Sequence, residues 1–372
     1  MGRGYRIVTL PGDGVGPEIV AATGVVIEAV AGRFGMLFDI DERLIGGCAI
    51  DAYGIPLRPE DLQACLEADG VLLGAVGGPK WDNPDAKVRP EQGLLTLRRG
   101  MGLYANLRPV RVFPSLIDAS PIKPERLAGV DFLFVRELTG GVYFGRPRRR
   151  WQERRGRAAL DTMIYREHEV RRIVELAFDL AERREGRVAS VDKANVLDTS
   201  RLWRTVVSEV AAARPAVTVE HVLVDSMAMR LITGPASLDV VVTENMFGDI
   251  LTDEASVLAG SIGVLPSASI GTDRGDGTGR RRGVFEPIHG SAPDIAGQGK
   301  ANPIGTILSF ALMLRMALGE DDAAETVEGA VEAALDAGVR TGDIAGGGAA
   351  VSTMAMAAAI AGRVRSSPAA RR

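Results

Sequence analysis

Ile7-Val8-Thr9-Leu10-Pro11-Gly12-Asp13-Gly14-Val15-Gly16-Pro17-Glu18 opens the chain with a β-branched run, a glycine loop and a helix start. Ile7–Leu10 predicts a strand. Pro17 suits a first helical position, and Glu18 suits the positive end of a helix. The alternation continues outward from there. Val71–Val76, Ala105–Phe113, Asp131–Arg136, Val188–Val191, Val219–Val224 and Val240–Thr243 read as further strands. Glu167–Arg184, Ser200–Ala213, Phe247–Leu258 and Asn302–Leu318 carry helical patterns. This order predicts an α/β fold with a central sheet. The glycine loop is spaced G-x-G-x-G, not the G-x-G-x-x-G of a conventional Rossmann fingerprint. A tight turn is the simpler reading, although its backbone could still touch a cofactor.

The 372 residues exceed what one hydrophobic core usually serves, so two domains or one bilobed unit is expected. Lys+Arg 44 against Asp+Glu 48 leaves a net charge of −4, which argues against general attraction to nucleic acid or anionic lipid. The basic run Arg146–Arg157 holds Trp151 but no interleaved aromatic pattern, and reads as a solvated loop or arm. Cys48 and Cys65 cannot build a disulfide framework or a four-thiolate zinc site, so a cytoplasmic setting is expected. No signal peptide is read at the N-terminus, and no apolar stretch reaches the roughly 20 residues of a membrane span. Ala349–Ala361 reads as a closing helix, Thr272–Gly283 as a flexible surface loop, and Ser366–Arg372 as a frayed tail. There is no internal repeat.

Four segments carry candidate chemistry. Asn245-Met246-Phe247-Gly248-Asp249-Ile250-Leu251-Thr252-Asp253 follows a predicted strand and puts Asp249 and Asp253 on one helical face. Oxygen ligands of this kind suit a hard divalent cation, Mg²⁺ or Mn²⁺; a solvated acidic face is the plain alternative. Arg98, Arg108 and Arg136 each lie in or after an apolar stretch, where arginine needs an anion. Together they could fork onto two carboxylates, and singly each could pair with Glu137 or another acid. Lys193, in Ser190-Val191-Asp192-Lys193-Ala194-Asn195, is either a proton-transfer lysine or an ordinary strand-end residue. Glu286-Pro287-Ile288-His289-Gly290-Ser291-Ala292-Pro293-Asp294, with Asn302 after it, is either a loop built for close backbone approach to a ligand or a surface turn. Asp294 could accept from ribose hydroxyls and repel the extra phosphate of NADP.

Taken together, these segments resemble the β-decarboxylating dehydrogenases of the isocitrate/isopropylmalate dehydrogenase family. The resemblance runs from Leu10–Glu18 to about Arg340-Thr341 and includes Gly74-Ala75-Val76-Gly77-Gly78-Pro79-Lys80-Trp81 and Arg136–Gly145. It implies a bilobed isopropylmalate dehydrogenase-like α/β fold with a central sheet spanning two lobes, not a conventional Rossmann fold. Residues 1–103 and 260–372 would form the first lobe with its NAD-binding loops. Residues 104–259 would form the second lobe with the dimer interface, the arm (near Gly145–Asp161) and the metal-site helix. The active site would lie between the lobes and be shared across a homodimer.

The resemblance also implies roles. Arg98, Arg108 and Arg136 would hold substrate carboxylates, and Tyr143 would donate a proton. Lys193 and Asp225 would enter from the second subunit, and Asp225, Asp249 and Asp253 would bind the metal. Glu286, His289, Gly290, Ser291, Ala292, Asp294 and Asn302 would line the NAD site. Glu91, Leu94 and Leu95, with Val196 of the second subunit, would meet the substrate's third substituent. An apolar wall there suits the isopropyl group of 3-isopropylmalate, whereas isocitrate or homoisocitrate needs a polar or basic group; malate and tartrate are less well excluded. The implied reaction is NAD-dependent oxidative decarboxylation of this small molecule, a step of leucine biosynthesis. A catalytically silent regulatory homologue would have lost an arginine or aspartate of the set. Two segments depart from the family pattern, Thr272–Gly283 and Ser352-Thr353-Met354-Ala355-Met356. Neither touches a proposed catalytic residue.

Overall fold

The computed structural model describes residues 3–83 and 86–366, and the tail 367–372 lies outside the described residues. Its strands, in chain order, are β1 (Gly4–Gly12), β2 (Leu37–Glu42), β3 (Gly70–Ala75), β4 (Ala105–Arg111), β5 (Asp131–Glu137), β6 (Arg149–Glu153), β7 (Gly156–Leu160), β8 (Arg187–Asp192), β9 (Thr218–Leu223), β10 (Val240–Thr243), β11 (Pro266–Asp273) and β12 (Arg281–Pro287). The chain divides into two units. One comprises Met1–Leu103, Phe113–Pro121 and Ala259–Arg372, the other Tyr104–Val112 and Ile122–Leu258.

The first unit orders its strands β2-β1-β3-β12-β11. β1 runs parallel to β2 and β3, β12 is parallel to β3, and β11 is antiparallel to β12. β3 is buried along its whole length, as a parallel strand covered on both faces must be. Val8, Leu10, Val71, Leu73, Leu97 and Val284 pack in its core. The glycine loop is a turn, as its spacing suggests. It also presses on a second segment, because a Cβ on Gly14 would come within 2.0 Å of the Ser291 carbonyl oxygen. Val15 N–H donates to that same oxygen at 2.8 Å. The ends of Thr272–Gly283 belong to β11 and β12, so the surface loop is residues 274–280, across which Arg274 N–H donates to the Arg280 carbonyl at 2.9 Å. The closing helix spans Thr353–Ser366.

The second unit orders its strands β4-β5-β10-β8-β9. β5, β10, β8 and β9 are mutually parallel, and β4 is antiparallel to β5. Phe132, Phe134, Phe178 and Trp203 fill its core. Because the four strands are parallel, their carboxyl ends share one edge, where α/β sheets place ligands. Arg136 lies at that end of β5, Lys193 follows β8, Val224 and Asp225 follow β9, and Glu244 follows β10. The basic run is a two-stranded hairpin of β6 and β7 with its arginines largely exposed. Among the described residues no helix is long and apolar enough to cross a membrane.

Candidate active site

In the second unit the site is organised by the helix Asn245–Ser256. Its N-terminus is capped by Glu244, whose carboxylate accepts from Phe247 N–H at 2.7 Å and Met246 N–H at 3.1 Å. Glu244 is buried; desolvation raises its pKa despite these hydrogen bonds. Two arginines lie along the helix. Arg108 donates to Thr252 Oγ1 at 2.6 Å, to Asp253 Oδ1 at 3.3 Å and to Asn106 Oδ1 at 2.8 Å. Arg136 donates to Asp249 Oδ1 and, through Nε and NH2, to Asn245 Oδ1 at 3.1 and 2.9 Å. Both arginines are buried, so nearby oxygens are a condition of their placement.

Asp249 takes its second contact from Tyr143, whose hydroxyl donates to Oδ2 at 2.8 Å. Burial opposes ionisation of Asp249, but the charge of Arg136, the Tyr143 hydrogen bond and Arg108 outweigh it and hold the pKa below the usual carboxylate range. The same contact works in reverse on Tyr143. Desolvation first, then the Asp249 carboxylate, push its pKa up to about 12, so the phenol keeps its proton. Glu137 does not pair with Arg136. Its side chain accepts from Thr139 N–H at 2.9 Å, from Gly140 N–H at 2.7 Å and from Arg172 at 3.4 Å.

Lys193 and Asp225 form an ion pair with each other. That pairing lowers the Asp225 pKa, chiefly through the Lys193 hydrogen bond. Among the described residues no three acidic, histidine or cysteine side chains of one chain gather to hold a metal. Asp249 and Asp253 still offer hard oxygens on one helix face, and the Asp253 side chain is 66% exposed. This donor chemistry fits two of the carboxylates of a divalent-cation site and leaves a third to be supplied.

In the first unit the helix Glu91–Gly100 carries Glu91, Leu94, Leu95 and Arg98. Leu97 anchors it in the core with Leu94 partly buried beside it, whereas Leu95 is 43% exposed. Arg98 reaches Glu286 Oε1 with NH2 at 2.5 Å. Its Nε is buried without a hydrogen-bond partner, an orphan donor that a carboxylate would satisfy. Beyond Glu286 the chain turns through His289, whose Nδ1 lies 2.8 Å from the Gly290 carbonyl. Desolvation lowers the His289 pKa, so the neutral ring donates to that carbonyl. Ala292 is held at φ +37°, in the left-handed region that favours glycine. A Cβ on Gly290 would meet nothing within 4 Å, and Asp294 is exposed. An open backbone turn beside a free carboxylate fits the ribose end of a dinucleotide. Asn302 is buried, donating to Asp343 Oδ2 at 3.0 Å and accepting from Ile304 N–H at 3.0 Å.

Sequence reasoning missed Glu244, Asn245, Thr252, Asn106 and Asp343 as partners of the candidate residues. The only signal for Glu244 was an acid between a strand and a helix; Asn106 sat unassigned inside the strand Ala105–Phe113, and Asn245 inside the quoted aspartate motif.

A family model described as isocitrate/isopropylmalate dehydrogenase matches residues 6–360. A protein of Anaeromyxobacter dehalogenans named 3-isopropylmalate dehydrogenase is 60% identical over 95% of this chain and 97% of its own length. One of the same name from Geobacillus kaustophilus is 56% identical over 95% and 93%. Among solved structures, isocitrate dehydrogenase from Methylococcus capsulatus superposes with a TM-score of 0.84 at 34% identity, covering 97% of this chain and 99% of the other. A β-decarboxylating dehydrogenase from Thermococcus kodakarensis gives 0.75 at 35% identity over 97% and 96%. The chain belongs to the isocitrate/isopropylmalate dehydrogenase family.

Proposed function

We propose that this protein catalyses the NAD- and divalent-metal-dependent oxidative decarboxylation of 3-isopropylmalate to 4-methyl-2-oxopentanoate and carbon dioxide, a step of leucine biosynthesis. The observation that carries this reading is the pairing of buried Arg108 and Arg136 with Asp249 and Asp253 along one helix. Such a site is charged for a dicarboxylate bound together with a cation. Relatives of the same name at 60% and 56% identity favour 3-isopropylmalate over the substrates of sister enzymes.

Arg98, Arg108 and Arg136 bind the two carboxylates, and Leu94 and Leu95 accept the branched apolar group, with Glu91 at the start of their helix. Asp249 and Asp253 hold Mg²⁺ or Mn²⁺ together with the partner subunit's Asp225. When bound, Mg²⁺ or Mn²⁺ would supply Lewis-acid chemistry at the 2-hydroxyl oxygen, and NAD would supply a hydride acceptor. Lys193 takes the hydroxyl proton directly or positions the base that does, and Tyr143, protonated with a pKa of about 12, returns a proton to carbon after carbon dioxide leaves. Glu286, His289, Gly290, Ser291, Ala292, Asp294 and Asn302 line the cofactor site.

The working unit is a homodimer in the cytoplasm. Val196, Met229, Ile250 and Val257 are 60%, 62%, 61% and 42% exposed, and a second copy would cover them. The test is NADH formation from 3-isopropylmalate, isocitrate, homoisocitrate, malate and tartrate with Mg²⁺ or Mn²⁺. The highest kcat/KM is expected for 3-isopropylmalate; a higher value for isocitrate or tartrate refutes the assignment.

A further inference from the structure

We infer that Asn245 is a positioning residue that sets the orientation of the Arg136 guanidinium and thereby the affinity for the substrate carboxylate; this rests on the function proposed above. Asn245 is the first residue of the helix Asn245–Ser256 and is 1% exposed. Its Oδ1 accepts two hydrogen bonds from one guanidinium, Nε at 3.1 Å and NH2 at 2.9 Å. Arginine only donates, so the oxygen of this amide must face Arg136 and the nitrogen must face away. The nitrogen is used as well: Nδ2 donates to the Gly140 carbonyl at 3.3 Å. The amide is thus fixed at both ends, and a planar guanidinium bonded at two positions to one oxygen cannot rotate about its stem.

A second layer fixes Asn245 itself. Its backbone N–H donates to the Tyr165 hydroxyl at 2.9 Å, and that hydroxyl donates to Glu244 Oε2 at 3.1 Å. The Tyr165 ring stands edge-on to Trp203 with centroids 5.9 Å apart. The result is a buried relay from the core to Arg136, whose NH1 reaches Asp249. The neutrality of the amide oxygen matters. Asp249 already partners this guanidinium, and a second anion at residue 245 would neutralise it further. The substrate carboxylate would then meet less positive charge. A carboxylate there would also set an oxygen against the Gly140 carbonyl, where Nδ2 now donates. The structure therefore calls for a side chain at residue 245 that orients the arginine without discharging it, and asparagine does both.

The experiment uses full-length enzyme with Asn245→Asp and Asn245→Ser, alone and in an Arg136→Lys background. Thermal unfolding is measured alongside initial rates. Orientation of a binding arginine acts on ground and transition states alike, so the KM for the dicarboxylate should rise about tenfold or more with kcat little changed. The KM for NAD should stay at the wild-type value. In the Arg136→Lys background the Asn245→Ser change should add little, because its effect runs through the guanidinium. Asn245→Asp keeps the side-chain shape and serves if Asn245→Ser does not fold. An unchanged dicarboxylate KM in the folded variants overturns the inference. So does an equal rise in the KM for NAD, or a full Asn245→Ser effect with Arg136→Lys present. A wild-type enzyme that oxidises none of the substrate panel overturns the proposed function and this inference with it; an active wild type with unaffected variants overturns the inference alone.

Discussion

Gly248→Ala should damage catalysis far more than folding. Gly248 is buried and its backbone angles are ordinary for a helix, so alanine meets no backbone strain and gains about 1 kcal/mol of helix propensity. The obstacle is Arg136. A Cβ on Gly248 would lie 2.6 Å from Arg136 Cγ, 2.9 Å from its Cβ and 3.0 Å from its Cδ. These atoms are the base of the side chain, fixed to β5, and cannot swing away as a guanidinium tip can. An ordinary carbon contact needs about 3.5–4.0 Å, so strand and helix must separate by roughly an ångström. Overpacking of this kind costs about 1–3 kcal/mol, which the propensity gain partly offsets. A shift near one ångström in a positioning group costs about a hundredfold in rate, and that loss is expected in kcat/KM for 3-isopropylmalate. Steady-state NADH formation and thermal unfolding on the same preparations separate the two effects. Wild-type kcat/KM in the alanine variant would show that Arg136 does not need this close approach. A large fall in melting temperature with a proportionate loss of folded protein would refute the argument equally.

Excess chelator should abolish NADH formation, and Asp249→Asn should weaken Mn²⁺ binding without unfolding the chain; full turnover in metal-free buffer would remove the metal from the chemistry. Asp294→Ala should narrow the preference for NAD over NADP in kcat/KM, and an unchanged ratio would exclude the carboxylate as a determinant. Glu244 has a folded-state pKa raised mainly by desolvation, so the native state holds its proton more tightly than the unfolded state. Its contribution therefore falls as pH rises from the ordinary carboxylate value toward the raised one, then levels off. Glu244→Gln should remove that descending component, which chemical denaturation of both proteins across the acid range would detect; parallel profiles would contradict it. Lys193→Ala and Arg98→Ala homodimers should each be nearly inactive, while co-expression should return roughly a quarter of the wild-type sites, because a mixed dimer places both defects in one site. Differently tagged mixed dimers without activity would put Lys193 and Arg98 in the same chain's site.

Much of the fold was legible because β-branched runs and helical periodicity are local. The face shared by Asp249 and Asp253 was legible for the same reason, since four residues are one helical turn. What those carboxylates touch was not. Arg136 meets Asp249 across 113 residues of sequence, and Arg108 meets Asp253 across 145. Lys193 meets Asp225 only because β8 and β9 are neighbours in register, with Asp192 opposite Leu223. Each arginine does pair with an acid, as one of its two readings allowed, but for Arg136 the strand itself disfavours Glu137 as that acid. Successive strand residues point to opposite faces. Glu137 therefore turns away from its neighbour Arg136, and it receives Thr139, Gly140 and Arg172 on the other side.

The arginine–aspartate pairs also set a constraint that a list of site residues hides. Arg108 and Arg136 are buried at 8% and 5% exposure, and an isolated buried cation is costly. Asp249 and Asp253 offset that cost within the chain, through contacts from both arginines. Under the proposed function the same four side chains must also face outward, the aspartates to a cation and the arginines to carboxylates. A cation and a dicarboxylate arriving together bring opposite charges to opposite partners, so neither set is left uncompensated. Either one alone strengthens one set and strips the other. Metal and substrate binding should therefore be mutually reinforcing, and by linkage each should tighten the other by the same factor. Neutralising one aspartate should then weaken metal binding directly and substrate binding through that linkage.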